Sequence, residues 1–111
     1  LICSGKVYFD LIAYRAAHNI TDTAIVRLER IYPLPGVSLP AMAKEYPDAD
    51  LRWVQEEPAN QGAWSFVALN VPALINRGIS CVSRTASSAP AVGTHQRHDE
   101  DQKVLIESAF N

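Results

Sequence analysis

Four short apolar runs, each closed by turn residues and followed by helical periodicity, constrain this chain more than any other feature. They are Leu1–Cys3, Ala24–Glu29, Leu51–Glu56 and Ile79–Arg84. All are rich in β-branched and apolar residues and read as strands. Their near-continuous hydrophobicity is what strands covered on both faces show. Behind the first run, Val7, Leu11 and Tyr14 recur at helical spacing with Tyr8, Ile12 and Ala16 alongside. Ser4 is the expected cap of that helix, and Asn19 with Thr21-Asp22 closes it. Behind the second, Pro33 and Pro35 forbid pairing, Ser38 and Pro40 suit a first helical turn, and Pro47-Asp48 ends a short helix. Behind the third, Asn60 is the expected cap of a helix over 61–76. Its buried face should carry Trp64, Val67, Ala68, Val71 and Leu74/Ile75, and Pro72 should kink it or end it early. Behind the fourth, the small-residue loop 85–93 leads to a last helix opening at Thr94 or His95. That helix should end at Phe110 and bury Val104, Leu105, Ser108 and Ala109. The alternation implies right-handed crossovers: an α/β fold with a mostly parallel sheet between two helix layers.

A length of 111 residues suits a single domain, 1–111, and its abrupt start inside a strand is expected of a domain cut from a longer chain. The net charge of −2 offers no field to attract nucleic acid or an anionic membrane. No apolar run approaches the ~18 residues of a membrane span. Neither partner is expected. Cys3 and Cys81 lie inside apolar runs and read as reduced core thiols, the usage of a cytosolic compartment.

Function in an open parallel sheet sits beyond the carboxyl ends of the strands. Three stretches fall there: Ser4-Gly5-Lys6, Glu56–Gly62 and Ser83–Gly93. The tract WVQEEPANQGAW (53–64) ends a strand in two carboxylates, stops it with Pro58, and turns on Asn60, Gln61 and Gly62 toward Trp64. One reading is a rigid corner, with Glu56 or Glu57 fixing backbone N–H groups or pairing with Lys6 or Arg84. The other is an acid/base pair of a small hydrolase or transferase. No His or nucleophile flanks the pair, and spacing favours the corner. Ser4-Gly5-Lys6 lacks the P-loop spacing, which leaves Lys6 a candidate contact for a small anion at a helix start. His95, His98, Asp99 and Asp101 have no cysteine partner, and the acids suit the positive end of a helix, so no metal site is expected. His18 suits the negative end of the first helix. GxSxG, HExxH, CxxC and GxGxxG are all missing, so no complete active site is expected.

The tracts LICSGKVYFDL, IVRLERIYPLP, WVQEEPANQGAW, SRTASSAPAVGTHQRH and the ending IESAF together resemble one family. It is the C-terminal end of the decarboxylating (first) component of 2-oxoglutarate dehydrogenase, including the actinobacterial multifunctional 2-oxoglutarate metabolism enzymes. The resemblance covers essentially the whole chain, and WVQEEPANQGAW is its most specific part. It implies a transketolase C-terminal-like fold, a three-layer α/β/α sandwich with a mostly parallel mixed sheet. It also implies a parent enzyme that oxidatively decarboxylates 2-oxoglutarate with thiamine diphosphate and Mg²⁺ and passes succinyl to a lipoyl-bearing dihydrolipoamide succinyltransferase. The cofactor contacts are expected in upstream domains, with no catalytic, cofactor or metal residue here. A homodimer is implied, in the bacterial cytoplasm or the mitochondrial matrix.

Within that frame Glu56, Glu57, Asn60, Gln61, Gly62 and Trp64 are expected to organise a domain or dimer contact. Lys6, Arg27 and Arg30 are the candidate anion or effector contacts. Some actinobacterial relatives place an acetyl-CoA site after a Pro-Leu-Pro segment and carry basic residues there, where this chain has Gly36-Val37-Ser38. Gln96 and Asp101 also depart from the residues common in the family. The alternative to this reading is a freestanding α/β ligand-binding or regulatory domain.

Overall fold

The computed structural model describes residues 1–86 and 95–111, with the backbone alone for His95 and Gln96. Eight elements alternate: β1 (Ile2–Cys3), α1 (Val7–Ala17), β2 (Val26–Arg27), α2 (Ser38–Glu45), β3 (Arg52–Pro58), α3 (Trp64–Ile75), β4 (Ser80–Arg84) and α4 (His95–Phe110). The four strands form one sheet in the order β2-β1-β3-β4. Every pairing among the described residues is parallel, where the resemblance implied a mixed sheet. The register runs straight across the centre, with Ile2 beside Trp53 and Trp53 beside Cys81. It slips between Val54 and Pro58, where β3 bulges relative to β4.

Strand residues point alternately to the two faces, and this builds two cores. Ile2 and Trp53 join Leu39, Ala43, Val67 and Val71 on the side of α2 and α3. Cys3 and Val54 join Val7, Leu11, Leu105, Ile106 and Ala109 on the side of α1 and α4. The result is the α/β/α layering that the alternation implies. Two arginines fasten the ends of helices. Arg77 donates to the carbonyls of Ala43 and Tyr46 at the end of α2, and Arg52 donates to the carbonyl of Ala109 at the end of α4. Cations are favoured at such ends.

Several local expectations are corrected. β2 has two residues instead of the six of Ala24–Glu29, because β1, its parallel partner, is itself only two residues long. β3 continues through Pro58, which pairs with Arg84 beyond the bulge, where its missing N–H breaks no regular ladder. α1 starts after a Gly5 with φ +78°, and Lys6 occupies the cap position without a side-chain bond, so Ser4 does not cap it. α3 begins at Trp64 and not at Gln61, and does not end at Pro72 but runs on to Ile75. Burial of Val71 and Ile75 on either side of Pro72 offsets the one hydrogen bond that proline removes. In α4 the buried stripe is Leu105, Ile106 and Ala109, while Val104 is 61% exposed and Ser108 is on the surface. The sequence of α4 allowed either rotation about its axis, and contact with β3 and α1 chose one. The loop expected over 85–93 lies outside the described residues from Ser87 onward.

Candidate functional site

Two loops meet at the carboxyl edge of the sheet between β1 and β3, the strands at which the chain order reverses. In such sheets this is the position at which ligands and contacts gather. The loop after β1 is Ser4-Gly5-Lys6. The loop after β3 is the corner that returns from Glu57 to Trp64.

The paired carboxylates part company here, because neighbours on a strand face opposite sides. Glu56 follows Val54 toward α1 and α4. Its Oε1 accepts from Lys6 Nζ at 2.6 Å and from Gln102 Nε2 at 3.0 Å. Gln102 also donates to Asp10 Oδ2 at 2.9 Å, so α4 is tied to α1 and β3 through one amide. Arg84 Nε donates to the Glu56 carbonyl at 2.9 Å. The bond to the Glu56 carboxylate holds the Lys6 ammonium above the usual lysine range, with the charges of Glu56, Asp10 and Glu57 adding to it and partial desolvation opposing it. Of the two pairings expected for the carboxylates, Lys6 meets a carboxylate and Arg84 meets backbone instead.

Glu57 faces the other way and folds over Gly62. Gly62 has φ +66°, and a Cβ there would lie 2.6 Å from Glu57 Oε2. Only glycine satisfies both the positive φ and that approach. Asn60 lies in the turn and is not the cap of α3; the cap position belongs to Ala63, which bears no capping side chain. Gln61 closes the turn through its N–H to the Pro58 carbonyl at 2.9 Å.

The residue that sequence reasoning missed is Gln55. It is 3% exposed and is the one buried polar residue among those described. Its Oε1 accepts from Trp53 Nε1 and from the Trp64 backbone N–H, both at 2.9 Å. Its Nε2 faces the carbonyls of Glu57, Pro58 and Gln61 at 3.2, 2.9 and 2.8 Å. Gln55 thereby supplies from the strand the N–H partner at the start of α3 that was expected from Asn60. The available signal was a lone amide inside an apolar strand, since a buried amide needs partners for each of its groups.

Trp64 is half-buried against the α2/α3 core. Beside it, Phe66 meets Tyr32 edge to face at 5.9 Å, and Tyr32 and Leu69 are each 79% exposed. Of the candidate anion contacts, Lys6 pairs with Glu56 at 2.6 Å. Arg27 stacks 5.5 Å from the ring centre of Tyr8 and 5.2 Å from that of Phe9. With Arg30 it lines a cavity of about 460 Å³ bounded by Leu34, Ser38, Leu39 and Met42, and Lys6 is not part of that lining. His18 follows the last turn of α1, stacked on Tyr14 at 3.9 Å. Both thiols are free; burial pushes the Cys3 thiol up to about 11 and raises Cys81 as well. Among the described residues no three His, Cys, Asp or Glu side chains gather as metal ligands would, and no helix is long and apolar enough to cross a membrane.

The profile of one protein family, described as "2-oxoglutarate dehydrogenase C-terminal", matches residues 1–110. The chain is 44% identical to the 2-oxoglutarate dehydrogenase E1 component of Cupriavidus necator, over 99% of this chain and 12% of that protein. It is also 44% identical to the multifunctional 2-oxoglutarate metabolism enzyme of Mycolicibacterium vanbaalenii, over 99% of this chain and 9% of that protein. It therefore spans about a tenth of the length of these relatives. With a family match along its whole length and an α/β architecture to go with it, this chain belongs to the 2-oxoglutarate dehydrogenase C-terminal family.

Proposed function

We propose that this chain is the C-terminal domain of a longer, thiamine diphosphate-dependent 2-oxoglutarate dehydrogenase first component, and that its work there is assembly. The longer enzyme oxidatively decarboxylates 2-oxoglutarate and hands succinyl to a lipoyl-bearing succinyltransferase. This domain supports its homodimer and helps shape the route to the lipoyl group. The relatives' printed names and lengths support the first part. The proposal assigns the diphosphate with its magnesium to the rest of the enzyme.

The observation that carries the assembly role is the polar corner at the carboxyl edge of the sheet, which leads into the half-buried Trp64. Glu56, Glu57, Asn60, Gln61 and Gly62 form the rim and Trp64 is the anchor. Interfaces favour aromatic anchors beside polar rims. The test is sedimentation of the longer enzyme carrying Trp64→Ala with Glu57→Gln. Dimerisation should weaken by about tenfold or more, since aromatic anchors dominate contact energies. Unchanged association and activity would overturn the assignment.

A further inference from the structure

We infer that Gln55 is the positioning residue of the corner: one buried amide sets the path of residues 57–64 and couples it to the Trp53 indole in the core. The inference rests on the contact proposed above only for its effect on association. The coupling stands on the hydrogen bonds themselves.

The chemistry allows the amide a single orientation. Its oxygen meets two N–H donors, and its nitrogen meets three carbonyl oxygens. Backbone donors and acceptors cannot exchange roles, so a flipped amide would set oxygen against three oxygens and NH₂ against two N–H groups. The side-chain nitrogen has two hydrogens for three carbonyls, and the longest contact, 3.2 Å to Glu57, is the shared one. No other residue type does the same. Asn is too short to reach, Leu supplies no partner, and an ionised Glu has no hydrogen to donate. Trp53 Nε1–H and the Trp64 N–H share one acceptor atom, and Trp53 is 2% exposed. Any opening in which the Gln55 amide follows the corner therefore releases the indole and the Trp64 N–H at the same moment.

Hydrogen exchange measured by NMR on the intact chain tests this without any substitution. The Trp53 indole N–H and the Trp64 amide should open in one event, with protection agreeing within about threefold. Independent protection of the two would overturn the inference. Gln55→Glu adds a pH readout. Burial and the three carbonyls raise the carboxyl pKa of that variant above the ordinary ~4.3. Its neutral form accepts the two N–H groups and donates once; its ionised form cannot donate. The corner of the variant should be intact at low pH and lost as pH rises through the raised value, because a charged carboxylate facing three carbonyls leaves for water and takes the indole's acceptor with it; the indole protection factor should then fall about tenfold or more below that of the wild type at the same pH. The wild-type amide shows no such transition. Wild-type indole protection at every pH in Gln55→Glu would overturn the inference. Loss of indole protection with unchanged association of the longer enzyme would leave the positioning role standing and overturn the proposed contact instead. Should Gln55→Glu fail to fold, the unsubstituted exchange measurement still decides.

Discussion

The two loops at the carboxyl edge of the sheet lie side by side and are held by opposite means. The corner 57–64 hangs on a buried neutral amide whose four bonds to it all meet backbone groups. The crevice between β1 and β3 is closed by charged side chains, with Lys6 73% and Glu56 21% exposed. Buried neutral hydrogen bonds are costly to break because the orphaned partner cannot find water. Exposed ion pairs contribute little, since water and salt screen them and two long side chains must be ordered. The shorter distance, 2.6 Å for Lys6–Glu56, thus marks the weaker restraint. The corner is built to keep its shape, and the crevice is built to be rearranged cheaply.

Three substitutions put that contrast under strain. The largest effect should come from Gln55→Leu, which keeps bulk but removes the acceptor of two N–H groups and the side-chain donor of three carbonyls, of which Pro58 keeps the Gln61 N–H. At 1–3 kcal/mol per orphaned buried group, less what the corner recovers by opening to water, a loss of about 3 kcal/mol is expected in urea unfolding. A loss no larger than that of a surface substitution would mean the corner is not held from within. Next comes Gly62→Ala. A left-handed alanine costs roughly 1–2 kcal/mol, and its methyl must displace the Glu57 carboxylate, which would lie 2.6 Å away. Because that carboxylate ends a flexible chain, Gly62→Ala combined with Glu57→Ala should recover the steric part of the loss and leave the backbone part. Full recovery would show that contact, not conformation, demands glycine there.

The smallest effect belongs to Lys6→Met, expected below about 0.5 kcal/mol and shrinking further in salt. Its pH signature has a definite sign. The Lys6 pKa is raised in the folded state, so its contribution is complete below the ordinary lysine value of about 10.4 and is lost as pH rises through the raised one. Lys6→Met should remove that alkaline loss and leave the neutral range unchanged. A change of several kcal/mol at neutral pH would make the crevice, and not the corner, the rigid feature.

How much was legible in advance follows from the range of each interaction. Strand and helix order could be read because periodicity and turn residues act over a few positions. Capping was misread at the starts of both α1 and α3. Asn60 had the right chemistry for the start of α3, but Gln55 reached Trp64 first from the neighbouring strand. Ser4 lost its expected role to a glycine turn. Nothing local marks Arg52 and Arg77 for the ends of α4 and α2, which they meet only in the folded chain. Glu56 and Glu57 were read as a pair, although the two-residue period of a strand already sends neighbours to opposite faces. Gln102 gave no local sign of its bridge between Asp10 and Glu56.

Local chemistry by itself determined the alternating α/β order, the turn at Gly62 and the apolar stripes that commit each helix to the sheet. Those outcomes depend on backbone sterics and on periods of two and 3.6 residues, which neighbouring positions fully express. Tertiary structure alone decided which face of α4 is buried, which carboxylate meets Lys6, and that one amide in β3 would organise the corner. Each of these depends on how the packed elements face one another, and burial then penalises every polar atom that the packing leaves unpaired.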